Sequence, residues 1–384
     1  MDIRKIYTAM KIAILTLPLH TNYGGILQCY ALQTVLERMG HEVCVIEKKF
    51  KPARLPLYLT PLCYGKRLLK NLIGYKCPIF YEQRYNRIQH IIRQNTDIFI
   101  NQYIHLKRYH SFSDIKENEY DVIVVGSDQV WRPVYFGFDK IENAYLKFAE
   151  KWNVKRISYA ASFGTDKWEY TPKQTSQCGQ LLKMFDAVSV REHSAIFSCK
   201  QYFGVNAQYV LDPTLLLEKE DYVKLFKATN TPKSKGNLLC YMLDETEEKK
   251  KLVQYIADQK GLMPFNVTAK LYDENAPLNE RIQPSIEQWL RGFEDAQMIV
   301  TDSFHGCIFA ILFQKPFVTI ANAGRGMTRF TSLLNLFNLE SRSVCSWENF
   351  ESRQMELMKQ IDYSSINLQV NREKSLSFLR LALL

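Results

Sequence analysis

Ile299-Val300-Thr301-Asp302-Ser303-Phe304-His305-Gly306 joins two apolar runs. The first ends abruptly in Asp-Ser-Phe-His-Gly. The second, Cys307 to Phe313, follows at once and is stopped by Pro316. A buried strand, a tight turn and a helix start account for that pattern. In open α/β sheets, ligands sit where strands end and helices begin. The turn therefore places the imidazole of His305 beside the free N–H groups of a helix N-terminus, which favour anions.

The same grammar recurs outward in both directions. Lys11 to Leu17 reads as a buried strand, Asn22-Tyr23-Gly24-Gly25 as a turn, and Ile26 to Met39 as a helix. Ile26, Leu27, Tyr30, Ala31, Thr34, Val35 and Met39 line one side of that helix, and Gly40 stops it. Val43 to Ile46 is the next strand. Such a βαβ opening implies a parallel sheet. Further strands are expected at 121–125, 157–161 and 187–190, and Tyr209 to Leu211 leads into the exit Asp212-Pro213-Thr214. Beyond Gly236 the alternation restarts, with strands at 238–242, 264–268, 298–300 and 317–320. Helices at 245–259, 285–293, 306–313 and 329–336 fall between and after them.

At 384 residues, two domains are expected. The reading is α/β, with two Rossmann-like halves facing a cleft. Residues 1–217 form the first half, the polar, Lys-rich 218–236 a linker region, and 237–371 the second half. The final helix, 372–384, is placed to pack back on the first half.

Hydrophobic residues make up 46% of the chain, enough for well-packed cores, and the formal charge is +10. A basic chain favours anionic partners such as phosphorylated substrates or acidic membranes. No long Lys/Arg block appears, so nucleic acid is not expected as a partner. Nine cysteines without a Cys-x-x-Cys pair read as free thiols in a reducing cytosol. The charged Met1–Met10 segment is unlike a signal peptide, and no apolar stretch would span a bilayer. A cytoplasmic location is expected.

The segment 48–76 breaks the pattern, being basic and aromatic with Pro52, Pro56 and Pro61. Lys66, Arg67, Lys70 and Lys76 interleave with Tyr64, Leu68, Leu69, Leu72, Ile73 and Tyr75. Two readings stand: a helix lying on an anionic membrane, or a solvated helix packed on the first half.

Several polar clusters follow strand ends, and each has a functional and a bland reading. Asn22, Gly24 and Gly25 let backbone approach a ligand closely, or merely serve the turn. The Gly-x-Gly-x-x-Gly dinucleotide fingerprint is absent. In Gly126-Ser127-Asp128-Gln129-Val130-Trp131, Asp128 and Trp131 suit sugar hydroxyls and a pyranose face. Alternatively Asp128 caps a helix and Trp131 is core. In Ser189-Val190-Arg191-Glu192, Arg191 either grips a carboxylate or phosphate in two parallel bonds or pairs with Glu192 or another acid. Near His305, Ser303 or Asp302 caps the helix and Gly306 permits close backbone approach. Arg325 and Arg329, in and after Gly324-Arg325-Gly326, cover a bound phosphate or face solvent. The remaining histidines show no metal-ligand spacing, so no metal is expected. Gly-x-Ser-x-Gly and Walker motifs are absent.

Taken in order, these segments resemble the polysaccharide pyruvyl transferase family. They are Asn22-Tyr23-Gly24-Gly25, Gly126 to Trp131, Tyr159-Ala160-Ala161-Ser162-Phe163-Gly164, Ser189 to Glu192, Leu211-Asp212-Pro213-Thr214 and Thr301 to Gly306. The resemblance implies a fold like that of GT-B glycosyltransferases. It also implies transfer of a pyruvyl group from phosphoenolpyruvate, a co-substrate and not a cofactor, to a sugar, usually as a cyclic ketal. By the match, Arg191 and His305 contact phosphoenolpyruvate in the second half's side of the cleft, with the backbone around Phe304 helping. Ser303, Gly306 and Ser162 join the substrate-facing set, and Asp128 orients or deprotonates an acceptor hydroxyl. The acceptor belongs to a capsule or exopolysaccharide precursor and is often lipid-linked, which would place the enzyme at the inner face of the cell membrane. Two rivals remain: a nucleotide-sugar glycosyltransferase on the same architecture, and a sugar-binding protein without catalysis.

Overall fold

The computed structural model describes residues 9–49, 52–75, 77–271, 273–320 and 327–384, which build two sheets. The first has the order β3-β2-β1-β4-β5-β6-β7. Its strands are β1 (Lys11–Leu15), β2 (Glu42–Lys48), β3 (Leu106–Tyr109), β4 (Val122–Val125), β5 (Lys155–Ala161), β6 (Ala187–Val190) and β7 (Gln208–Tyr209). The second has the order β12-β11-β10-β8-β9. It comprises β8 (Leu238–Tyr241), β9 (Pro264–Phe265), β10 (Met298–Thr301), β11 (Phe317–Ile320) and β12 (Ser343–Val344). Adjacent strands are parallel in both sheets. Parallel sheets are covered on both faces, which is why β4 reads Val-Ile-Val-Val and is buried throughout. The strand order reverses between β1 and β4 in one sheet and between β8 and β10 in the other. Crevices at the carboxyl ends of such switch points are where ligands bind.

Helix α1 (Tyr23–Arg38) starts three residues before the expected Ile26, because the Asn22 side chain accepts from the Gly25 N–H at 3.1 Å and caps it. The segment 48–76 contributes α2 (Thr60–Leu72), and α3 (Tyr81–Tyr103) returns along the domain. The stretch expected as a linker holds a helix, Lys219–Ala228. Tyr222, Leu225 and Phe226 bury one face of it, with Tyr222 edge-on to Phe309 at 5.0 Å. The final helix, Leu368–Leu383, lies against the first half: its Ser375 Oγ accepts from the Leu211 N–H at 3.0 Å, and Arg372 Nε donates to the Leu215 carbonyl at 2.8 Å.

One apolar core runs from β1 and α1 through the Lys219 helix into the second half. Tyr23 is its pin. Its ring stacks on Trp289 at 5.3 Å, and its hydroxyl faces the carbonyls of Val267 at 3.1 Å and Pro284 at 2.8 Å. Removing that hydroxyl leaves buried carbonyls without a donor. Tyr23→Phe is expected to cost about 1–3 kcal/mol, read as a lower urea midpoint at unchanged slope; an unchanged midpoint would show that the hydroxyl does not tie the halves together.

Candidate functional site

The carboxyl ends of β4, β6, β7 and β10 bring Asp128, Arg191, Asp212 and His305 together. Arg191, the first residue after β6, is buried between two carboxylates. Its Nη1 donates to Asp212 Oδ2 at 2.7 Å and its Nη2 to Asp128 Oδ1 at 3.1 Å. His305, the second residue of helix Phe304–Leu312, reaches the same oxygen from the other half, with Nε2 3.6 Å from Asp212 Oδ2. That is an ion-pair separation, longer than a hydrogen bond. The guanidinium and the imidazole thus share one oxygen across the cleft.

Asp212 is held from every side. Ser127 Oγ donates to Oδ2 at 3.2 Å, and Oδ1 accepts the Thr214 N–H at 3.0 Å and the Thr214 hydroxyl at 2.6 Å. Burial alone would raise its carboxyl; His305, Arg191 and Thr214 outweigh burial and hold it far below the usual carboxylate range. Burial likewise opposes ionisation of Asp128, and Arg191, His305 and Arg329 overcome it. Asp128 also sits in the left-handed region at φ 68°, bridged to Ala161 beside a register shift in β5, where Ala160 has φ 52°. Such backbone is costly and concentrates at functional sites.

Phe304 lies under two cations, with the Arg191 guanidinium 4.6 Å and that of Arg329 5.4 Å from its ring centre. Burial, then repulsion from Arg191, pull the Arg329 guanidinium down to about 10. Glu192 follows Arg191 but faces elsewhere: its Oε1 accepts from Ser162 Oγ at 3.0 Å and from the N–H groups of Phe163 at 2.9 Å and Gly164 at 3.3 Å. Burial raises its carboxyl.

Other expected site residues are placed differently. Trp131 is fully buried, stacked on Tyr145 at 5.1 Å, with its indole N–H given to the Ala144 carbonyl at 3.2 Å. It is core, and offers no face to a sugar. Ser162 serves Glu192, and Ser303 caps its helix through the Gly306 N–H at 3.4 Å. Gly306 is close to its own strand instead of a ligand: a Cβ there would lie 2.1 Å from Thr301 Oγ1. Gly24 makes the close approach expected of it, but to the imidazole, since a Cβ would lie 2.0 Å from His305 Nδ1. Gly25 meets only the Asn22 side chain, at 3.5 Å, and Asn22 itself is an exposed cap. Asp302 ties down the β8 exit through Lys249 Nζ at 2.6 Å and the Leu243 N–H at 2.7 Å. Arg325, and Lys76 of the basic segment, lie outside the described residues. Asp212 was not among the expected site residues. Its segment, Leu211-Asp212-Pro213-Thr214, is among those that carry the family resemblance, but an acid between a short strand and Pro213 also describes an ordinary turn cap.

This architecture is GT-B-like. UDP-GlcNAc 2-epimerase from Neisseria meningitidis, solved with UDP-GlcNAc bound, superposes with a TM-score of 0.50 at 9% identity, covering 97% of this chain and 100% of that one. The 2-epimerase of Methanocaldococcus jannaschii gives a TM-score of 0.49 at 13% identity, covering 97% and 99%. No curated protein matches the chain by sequence. The family model of polysaccharide pyruvyl transferases matches residues 22–324, and the chain belongs to that family.

Because Arg191 holds Asp212 and Asp128, its loss strands two buried carboxylates, and Arg191→Ala is expected to destabilise as well as to disturb binding. Asp212→Asn isolates the node more cleanly. A carboxyl whose folded pKa is depressed contributes stability above its unfolded value, near ~3.9, and loses it as pH falls towards the folded value. Asp212→Asn is expected to cost about 3 kcal/mol at neutral pH, with the gap to wild type narrowing progressively below about pH 5. Urea midpoints across that range test it; a gap independent of pH would mean that the Asp212 charge does not hold the site.

Proposed function

We propose that the chain moves the pyruvyl group of phosphoenolpyruvate onto a sugar of a surface-polysaccharide precursor, as a cyclic ketal, releasing phosphate. The observation that carries this reading is the meeting of Arg191 and His305, from opposite halves, on Asp212 in a member of the pyruvyl transferase family. The donor carries a carboxylate and a phosphate close together. The guanidiniums of Arg191 and Arg329 both lie over the Phe304 ring, and Arg329, lowered first by burial and then by Arg191, favours a bound anion beside it. The N-terminus of the Phe304 helix adds its dipole.

In the reaction, a proton goes to the methylene carbon of the donor while an acceptor hydroxyl oxygen bonds to C2 and gives up its own proton. The C2–O bond to phosphate then breaks, and the oxygen of a second hydroxyl bonds to C2 and closes the ketal, its proton leaving with the phosphate. Charge gathers on the departing phosphate, where fixed donors lower the barrier. In this reading His305 supplies a proton, to carbon or to phosphate, and Asp128, kept ionised, orients or deprotonates the acceptor hydroxyl. In this reading the first half receives the acceptor, either free or carried on a lipid at the inner face of the membrane.

Mass spectrometry of free and lipid-linked galactosides, glucosides and mannosides incubated with phosphoenolpyruvate tests the reading. One phosphate should be released per ketal formed, and His305→Ala should lower turnover by roughly 10²–10⁴-fold. Turnover of a nucleotide sugar without use of phosphoenolpyruvate would establish a glycosyltransferase. Acceptor binding that survives His305→Ala, with no product from either protein, would establish a sugar-binding protein.

A further inference from the structure

Helix α2 is built inside out. None of its 13 residues is buried. The side that rests on the domain is held mainly by polar contacts, with one ring pair: Arg67 donates to Glu82 at 2.7 and 2.8 Å and to the Ile79 carbonyl at 2.9 Å, Asn71 exchanges two bonds of 2.7 Å with the Cys77 backbone, and Tyr64 meets Phe80 edge-on at 5.1 Å. The opposite side carries Leu62, Leu69, Leu72 and Ile73, which are 70, 64, 75 and 71% exposed. At 100° per residue these four fall on one stripe, bordered along one edge by the exposed Lys66 and Lys70. A surface helix ordinarily turns its apolar stripe to the core. Leu57 and Tyr58 just before the helix are exposed as well, at 91 and 81%, as is Tyr75 just after it, at 66%.

Charge decides what covers the stripe. No acidic residue occurs from Lys48 to Tyr81, whereas Lys and Arg occur eight times. A second copy placed symmetrically on this face would bring two basic segments together with no acid to match them. An anionic bilayer complements both features: leucines enter the acyl boundary, lysines meet lipid phosphates, and tyrosines sit at headgroup depth. The segment also leaves the sheet at the edge that bears the site. β2 ends at Lys48, and Leu15 is in register with both Ile46 and Val125. Among the described residues no helix is long and apolar enough to cross a membrane.

We propose that the outward face of α2, with Leu57, Tyr58 and Tyr75, docks the protein on an anionic membrane surface. Flotation of the full chain tests it, using phosphatidylcholine vesicles with and without one third phosphatidylglycerol. The chain should float with the anionic vesicles alone, and less so as salt rises. Leu69→Glu with Leu72→Glu, and separately Lys66→Glu with Lys70→Glu, should each lower recovery at least about tenfold at unchanged thermal unfolding. Recovery that is equal on both vesicles, absent from both, or unaffected by either double variant would overturn the proposal. So would a dimer in sedimentation that Leu69→Glu dissolves, since a second copy would then be the cover. Flotation is read without turnover, so its failure and the failure of the pyruvyl-transfer reading are distinguishable.

Discussion

The carboxylate of Asp212 organises this molecule's cleft. Its Oδ2 is shared by a guanidinium from one half and an imidazole from the other. A buried cation and a buried anion each cost several kcal/mol to desolvate, and only close pairing with further hydrogen bonds offsets that cost. Thr214 and Ser127 supply those bonds on the Asp212 side, and Asp128 supplies the second partner for Arg191. The surrounding features follow from keeping this arrangement in place: a left-handed Asp128, a register shift in β5, and a glycine where the imidazole crosses over.

That crossing explains why the halves share one core. His305 keeps its place only if α1 stays close to the Phe304 helix, since Gly24 packs directly against its ring. Tyr23, one residue earlier, fixes α1 to the second half through Trp289 and two carbonyls. One short turn thus sets both the packing of the domains and the geometry of the site.

Much of this is legible in the residues, and the rest is hidden for physical reasons. Apolar runs ending in polar turns locate the central strands and the place of Arg191 and His305 at strand ends, because strands buried on both faces leave a strong signal. β3, Leu-Lys-Arg-Tyr, does not read as a strand because it lies at a sheet edge, and β12 is too short to show a pattern. The Lys219 helix hides among lysines, although Tyr222, Leu225 and Phe226 follow helical spacing. Trp131 sits in a polar strand exit and so resembles a sugar platform, but its ring turns inward to Tyr145. Asp212 looks like a turn cap, and it is one; its second duty depends on Arg191 and on His305 93 positions downstream, which only the fold brings near.

A site in which groups from both halves converge on one carboxylate has a direct consequence: its parts should be coupled. Calorimetric binding of phosphoenolpyruvate to the wild type, Arg191→Lys, His305→Gln and the double variant measures this directly. Two groups converging on one small anion should give an interaction energy of at least about 1 kcal/mol. Effects that add within about 0.3–0.5 kcal/mol, or a donor bound equally by all four proteins, would contradict a shared site at Asp212.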